Sequence, residues 1–109
     1  MEKGENKMFE DDFQKRLHQL RTDKDVSARD MSLSIGQNAG YISRIENGWG
    51  LPSMSAFLSI CDYLNITPSE FFDTNNAQPE RMRRLIKQLQ NLDIKRFNDV
   101  AAIVEDIAK

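Results

Sequence analysis

The sequence has few of the residues that disulfides, metal centres and membrane spans require. Among its 109 residues are one cysteine and one histidine, so neither an internal disulfide nor a histidine cluster for a metal is available. No apolar run approaches the roughly 20 residues that cross a bilayer. The first thirteen residues, MEKGENKMFEDDF, are charged throughout and do not resemble a signal peptide. We therefore expect a cytoplasmic protein with no cofactor, no metal and no membrane association.

The residue combinations of common catalytic sites are also missing. His18, the single histidine, is predicted on a helix surface, so a Ser-His-Asp arrangement has little material. Cys61 falls on the apolar stripe of a predicted helix, where a buried and inert thiol is expected. The five glycines form no glycine-rich phosphate loop. We predict that the protein is not an enzyme.

Acidic residues outnumber basic ones, but the excess is unevenly distributed along the chain. Residues 10–73 contain six Lys and Arg against ten Asp and Glu, a difference of −4, whereas residues 74–109 contain seven against five, a difference of +2. An acidic first segment is a physical objection to nucleic-acid binding, because neutralisation of phosphates by Lys and Arg supplies much of that affinity. Any such function therefore needs locally placed basic groups.

Apolar spacing predicts helices along the whole chain, so the expected fold class is all-α. In the first predicted helix the apolar residues recur every three or four positions, and Arg16 lies on the outer surface; the stripe is Phe9, Phe13, Leu17 and Leu20. The second predicted helix begins at Ser27 and ends at Gly36. The third extends from Ala39 to Asn47.

Two more helices complete the first part of the chain. The fourth is predicted from helical spacing of apolar residues, which are Met54, Phe57, Leu58, Cys61 and Leu64. The fifth begins at Thr67-Pro68-Ser69-Glu70, which combines an N-cap hydroxyl, proline at the first position and a carboxylate at the third. Phe71 and Phe72 are expected to close the core. These five helices define a predicted domain over residues 9–73.

The remainder of the chain is predicted to be a linker and a helical hairpin. Residues 74–79 are polar and end in proline, which is typical of a linker. Residues 80–109 then contain two amphipathic helices separated by Asn91-Leu92-Asp93. This pair has an apolar face and too little mass to bury it alone.

The segment VSARDMSLSIGQNAGYISRIENGWGLPSMSAFLSICDYLNITPSEFF, residues 26–72, carries a family resemblance. In its helix lengths, its I-x-x-I-E-N-G ending and the proline that follows, it resembles the phage-repressor-like (Xre-type) helix-turn-helix regulators. The resemblance covers residues 9–73. It implies a five-helix lambda-repressor-like helix-turn-helix domain, followed here by the C-terminal α-helical hairpin. It also implies sequence-specific binding of double-stranded DNA and a role in transcription regulation.

The resemblance implies a set of DNA-contacting residues. Those on the third, reading helix are Gln37, Asn38, Ala39, Gly40, Tyr41, Ser43 and Arg44, and those at the start of the preceding helix are Ala28 and Arg29. Arg44 is the best candidate for guanine, because a guanidinium fits O6 and N7 together. Gly40, interpreted as a residue inside the helix, indicates either close approach of the DNA backbone or an exposed position under little constraint.

Three further residues near the reading helix have assigned roles. The family resemblance implies that Arg21 pairs with Glu46 as a structural ion pair, which offsets the desolvation of a partly buried carboxylate. Trp49, between two glycines, has two interpretations of equal weight. It contacts a DNA phosphate or sugar through its indole N–H, or it covers the core.

The C-terminal hairpin is predicted to hold two copies together. The residues expected to bury against a second copy are Met82, Leu85, Ile86, Leu89, Phe97, Val100 and Val104. The predicted function is a homodimeric repressor that reads a palindromic operator through its third helix. Two alternatives stay open: an antitoxin-like protein whose hairpin binds a toxin or another protein antagonist, and a protein-binding adaptor whose DNA face has decayed.

Overall fold

The structure, a computed structural model, describes the backbone of residues 3–109 and the side chains from residue 9 onward. Its described elements are all helices, which confirms the all-α class. They are α1 Lys3–Asp23, α2 Ala28–Ser34, α3 Tyr41–Glu46, α4 Met54–Leu64, α5 Pro68–Phe72, α6 Pro79–Gln90 and α7 Ile94–Ile107. The chain divides into two compact units, residues 1–79 and residues 80–109.

Side-chain caps mark the starts of α2, α4 and α5. Ser27 Oγ accepts the backbone N–H of Asp30 at 2.9 Å, and Ser53 Oγ accepts that of Ala56 at 3.1 Å. Thr67 and Glu70 form the reciprocal capping box, in which each side chain accepts the other residue's backbone N–H. Each cap satisfies an amide that the first turn of a helix leaves without a partner.

The first unit has a single core, to which α1 to α5 all contribute. Its buried apolar residues are Leu17, Leu20, Met31, Ile42, Ile45, Phe57, Ile60, Cys61, Leu64, Ile66 and Phe71. Phe13 and Phe71 pack with ring centroids 4.8 Å apart, and Phe57 meets Phe71 edge-on at 5.1 Å. Aromatic pairs in such tilted and edge-on arrangements stabilise the fold by more than the burial of their apolar area alone.

Several predicted core positions are wrong. Phe9 is 66% exposed and Met54 is 71% exposed, while Leu58 and Phe72 also face solvent to a large extent. In α4 the buried face passes through Ile60 instead, a residue that the predicted stripe omitted. Spacing alone identifies every apolar residue near one side of a helix. Packing against the neighbouring helices determines which of those residues are buried.

Arg16 is buried, although it was predicted to lie on the outer surface of α1. It is only 3% exposed, and its guanidinium donates to the backbone carbonyls of Phe71, Glu70 and Asn76. Burial lowers the pKa of Arg16 from its usual value, partly offset by Asp73 and Asp23. The side chain thus links the end of α5 and the following turn to α1, because its three bonds reach carbonyls of both segments.

The second unit contains α6 and α7, joined by residues 91–93. Asp93 caps α7 by accepting the Arg96 backbone N–H at 2.8 Å. No residue of α7 is buried. Of the residues predicted to bury against a second copy, Leu89 and Val100 are half-buried, and five are 41–57% exposed: Met82, Leu85, Ile86, Phe97 and Val104.

Candidate nucleic-acid interface

The turn between α2 and α3 is built on a left-handed glycine. Gly36 has φ +80°, a conformation that glycine adopts without the steric cost of a Cβ. The turn is closed by the Gln37 N–H, which donates to the Ser32 carbonyl at 2.9 Å. Residues 35–40 therefore reverse the chain tightly, and α3 begins at Tyr41.

A buried serine fixes α3 against α2. Ser32 is fully buried, donates from Oγ to the Ala28 carbonyl at 2.7 Å and accepts the Ile42 N–H at 2.9 Å. Met31 and Ile42, both fully buried, lie beside this link. Sequence reasoning missed Ser32. The available signal was a hydroxyl next to a buried Met inside a short helix, where a side chain can bond the carbonyl four residues earlier.

The predicted start of the reading helix needs correction. Because α3 extends only from Tyr41 to Glu46, Gln37, Asn38 and Ala39 belong to the turn, and Gly40 is the N-cap residue. These four residues still precede α3 directly, so they remain at its N-terminal end. Two competing local bonds explain the later start, since Asn38 accepts the Gly40 N–H through its side chain and the Tyr41 N–H through its carbonyl.

The residues of α3 itself divide between the core and solvent. Ile42 and Ile45 are buried, and Tyr41 packs against the core while remaining half-buried. Ser43 and Arg44 are exposed, and Ser43 Oγ accepts from Asn47 Nδ2 at 3.4 Å. The polar side of this short helix is thus held outward by the burial of its apolar side.

Arg44 does not extend freely into solvent. Its Nη2 donates to Asn38 Oδ1 at 2.7 Å, and its guanidinium lies over Gly40. A Cβ at Gly40 would be 2.8 Å from Arg44 Nη1, so a larger residue would push the guanidinium away. Gly40 is the N-cap residue of α3, so the interpretation of it as a residue inside the helix is wrong. The absence of a side chain at Gly40 makes room for Arg44.

The start of α2 and the loop after α3 complete the candidate surface. Arg29 is exposed, whereas Ala28 is half-buried against the core. Trp49 is 80% exposed between Gly48, at φ +89°, and Gly50, at φ +148°. The interpretation that Trp49 covers the core is wrong, because nothing covers its indole. Two glycines in conformations that other residues rarely adopt hold it outward.

At the end of α3, Glu46 bonds to two side chains of α1, Arg21 and His18. Arg21 Nε donates to Glu46 Oε2 at 2.7 Å and Arg21 Nη2 donates to Oε1 at 3.0 Å, which makes a bidentate ion pair. Arg21 also donates to the Val26 carbonyl at 2.8 Å. This geometry joins the end of α3 to the end of α1 and to the segment before α2.

His18 is a third member of this group, which sequence reasoning left on a bare helix surface. Its Nδ1 lies 2.8 Å from Glu46 Oε1. Burial raises the pKa of Glu46, but the hydrogen bonds from Arg21 and His18 outweigh it, so the net pKa is lowered. The bond to Glu46 correspondingly raises the pKa of Arg21. The spacing of His18 and Arg21, one helical turn apart, was the available signal.

Other chemistry has little support among the described residues. No group of three or more His, Cys, Asp and Glu side chains is arranged to hold a metal ion in that part of the chain. The Cys61 thiol is buried, and burial, aided by Asp62, raises its pKa to about 11. None of the helices in the described range combines the length and the apolar character needed to traverse a bilayer.

Comparison with protein families gives a match over the first unit. A family model described as a helix-turn-helix domain matches residues 13–71, which is more than half of the chain. Neither the search of curated proteins nor the search of solved structures gives a match. The matched range begins within α1, ends within α5 and contains the whole α2–turn–α3 surface.

Proposed function

This chain belongs to the helix-turn-helix domain family, and on that premise we propose that it is a homodimeric transcriptional repressor that binds a palindromic operator. The family membership indicates DNA binding and transcription regulation. This family is typically non-enzymatic, and we assign the protein no catalytic step. The finer parts of the proposal are the contacts, the dimer and the sign of regulation.

In the proposed complex, the N-terminal end of α3 enters the major groove and α2 crosses the DNA backbone. The observation that carries this proposal is the orientation of α3, whose apolar side is buried while Ser43 and Arg44 face solvent beside the exposed Asn38. Arg44 is assigned to guanine O6 and N7. Gln37, Asn38, Tyr41 and Ser43 are the other polar groups within the proposed contact surface.

The remaining predicted contacts are assigned to the DNA backbone. Arg29, exposed at the start of α2, is positioned to neutralise a phosphate. Ala28, Ala39 and Gly40 offer backbone and small apolar surface rather than side-chain donors. Trp49 offers its indole N–H to a phosphate or sugar from an uncharged loop.

The acidic balance of residues 10–73 is compatible with this proposal because most of the acidic residues lie outside the α2–α3 segment. Glu46, at the end of α3, is neutralised by Arg21. Asp30, in the first turn of α2, is the exposed acidic residue within the segment. Acidic residues Glu10, Asp11, Asp12, Asp62 and Asp73 lie on α1, on α4 and after α5. Each monomer then has few phosphate contacts, so its affinity is expected to be modest and to depend only shallowly on salt concentration.

Dimerisation through the C-terminal unit would compensate for that modest affinity. Two reading heads held together gain avidity without new contacts. The exposed apolar side chains of α6 and α7 support this proposal, because such a surface favours burial against a partner. A two-fold dimer would place its half-sites about 10 base pairs apart. Repression follows from occupancy, since a bound dimer blocks polymerase by its position.

The experiment that tests the proposal is selection of bound sequences from a random duplex pool, followed by titration of the selected duplex at two salt concentrations. We expect an inverted repeat with half-sites about 10 base pairs apart. Arg44→Ala should relax one base position in each half-site, at a cost of about 1 to 3 kcal/mol per position. Arg44→Lys, which keeps the charge without the planar fork, should relax the same position.

Failure of the selection would separate the alternatives. Absence of any motif, together with no binding at low salt, contradicts the DNA-binding proposal and leaves the adaptor interpretation. Selection of a motif by a protein that stays monomeric in solution contradicts the homodimer. In that case the apolar residues of α6 and α7 have another partner, as an antitoxin-like function would require.

A further inference from the structure

We infer that Asn38 and Gly40 position the Arg44 guanidinium, which makes Asn38 a specificity-determining residue that acts through Arg44. This inference rests on the proposed function, because specificity is defined only for a DNA-binding protein. It deepens that proposal by assigning one unit of base recognition to three residues, two in the turn and one on α3.

The acceptor that holds Arg44 is itself held by the backbone. Asn38 Oδ1 accepts the Gly40 N–H at 3.2 Å and Arg44 Nη2 at 2.7 Å. The first bond is a local side-chain turn, a conformation that Asn favours because its short amide reaches the backbone two residues on. The oxygen that receives the guanidinium is therefore fixed in direction before any ligand arrives.

Gly40 provides the space for this arrangement. A Cβ there would lie 2.8 Å from Arg44 Nη1 and 3.9 Å from Asn38 Oδ1. Its φ of −96° is one that any residue can adopt, so the backbone does not require glycine at this position. At Gly36 the reverse holds, because its φ is +80° and nothing lies near the position of a Cβ. The absence of a side chain at position 40 thus leaves space for the Arg44 guanidinium in this arrangement.

The position of the guanidinium suits base reading. Helical side chains lean toward the N-terminus, and Arg44 follows this direction to lie over the first turn of α3, the end that enters the groove in the proposed complex. The Arg44 guanidinium has five N–H donors. One of them bonds to Asn38, which leaves four for the two acceptors of a guanine. A side chain already ordered in this way loses less freedom on binding than a mobile arginine.

The test compares Asn38→Ala, Gly40→Ala and Arg44→Ala in the full chain. For each variant, the affinity for the selected duplex is divided by the affinity for a duplex with one substituted base in one half-site. We expect Arg44→Ala to reduce this ratio roughly 5- to 150-fold at a single base position. Asn38→Ala and Gly40→Ala should reduce the ratio at that same position, and Asn38→Ala combined with Arg44→Ala should reduce it no further than Arg44→Ala alone.

Asn38→Asp is the matched control. Its carboxylate keeps the acceptor for Arg44 and for the Gly40 N–H, so the ratio at that base position should be retained. Overall affinity should fall, because a negative charge is added to a surface that faces phosphates. A residue with a merely structural role would not separate base preference from overall affinity in this way.

The outcomes distinguish this inference from the proposed function. If the wild type selects a motif and Asn38→Ala leaves every ratio unchanged, or relaxes a different base from Arg44→Ala, then Asn38 does not act through Arg44 and the inference is overturned alone. If the wild type selects no motif, the proposed function fails and the inference fails with it. Thermal melts identify any variant that loses its fold. If Gly40→Ala unfolds the chain, the comparison of Asn38→Ala with Asn38→Asp still tests whether Asn38 acts through Arg44.

Discussion

Glu46 illustrates at the residue scale how burial and pairing combine. Its side chain is 9% exposed, a setting that disfavours a charged carboxylate, yet its pKa is lowered because Arg21 and His18 bond to it. A carboxylate at the end of a helix also meets the negative end of the helix dipole. The two α1 side chains offset both costs, so Glu46 links α3 to α1.

Removal of the Glu46 charge should destabilise the first unit. Glu46→Gln is expected to lower the free energy of unfolding by about 2 kcal/mol at pH 7, because Arg21 then lacks a charged acceptor. The pKa of Glu46 is lower in the folded chain, so the contribution is complete above the unfolded carboxyl pKa, near 4.3, and decreases as the pH falls through the folded pKa.

Urea unfolding of both proteins from pH 7 down to pH 3 measures this difference. Glu10→Gln is the control, since Glu10 is an exposed carboxylate on the same α1 helix that Arg21 and His18 occupy. A stability gap between wild type and Glu46→Gln that stays constant over this range would show that the Glu46 charge is not responsible.

At the scale of the element, α2 and α3 are too short to be stable alone. They have seven and six residues, well below the roughly 12 to 15 that an isolated helix needs in water. Their stability therefore comes from contacts with neighbours, namely the buried Met31 and Ile42 and the two bonds of Ser32. The orientation of the proposed reading surface depends on these contacts.

Ser32→Ala should weaken the attachment of α3 to α2. The Ile42 N–H would lose its acceptor in a buried position, and we expect the free energy of unfolding to fall by about 1 to 2 kcal/mol. Amide hydrogen exchange should accelerate in α3 before it does so in α4.

Ser34→Ala is the matched comparison, because Ser34 is exposed on the same helix. Equal stability losses in the two serine variants would mean that helix propensity, and not the bond to Ile42, accounts for the effect.

For the whole molecule, the two units differ in how they bury their apolar side chains. The first unit buries its own core, while the second exposes most of its large apolar side chains. Under the proposed function, the first unit reads DNA and the second joins two copies of the chain.

Leu85→Glu should dissociate the proposed dimer. A charge placed among apolar residues at an interface has no partner there, so we expect the dimer dissociation constant to rise at least tenfold, or about 1.4 kcal/mol. Sedimentation velocity across a concentration series measures this change, and circular dichroism shows whether the helices are retained.

Gln88→Glu adds the same charge to the exposed polar side of α6 and should leave the association unchanged. If Leu85→Glu and wild type have the same mass at every concentration, the α6 surface does not mediate self-association.

The turn before α3 and the ion pair behind it were predictable from the sequence, but the contacts of Arg44 were not. Gly36 turns the chain where the end of the second predicted helix was placed, and Arg21 pairs with Glu46 as the family resemblance implied. The bond between Asn38 and Arg44, and the room that Gly40 gives it, depend on where α3 begins. That boundary was misplaced by two residues at Tyr41, because local side-chain bonds competed with the helix.

The sequence by itself determined the helical class, the caps and the helix-turn-helix family, because these depend on local spacing and on the chemistry of neighbouring residues. Only the tertiary structure decided which residues are buried. Arg16 meets carbonyls 54 to 60 positions away, and His18 meets Glu46 across 28 positions. Contacts at such separations depend on how whole helices pack, so local spacing can mark a residue such as His18 but cannot give its distant partner.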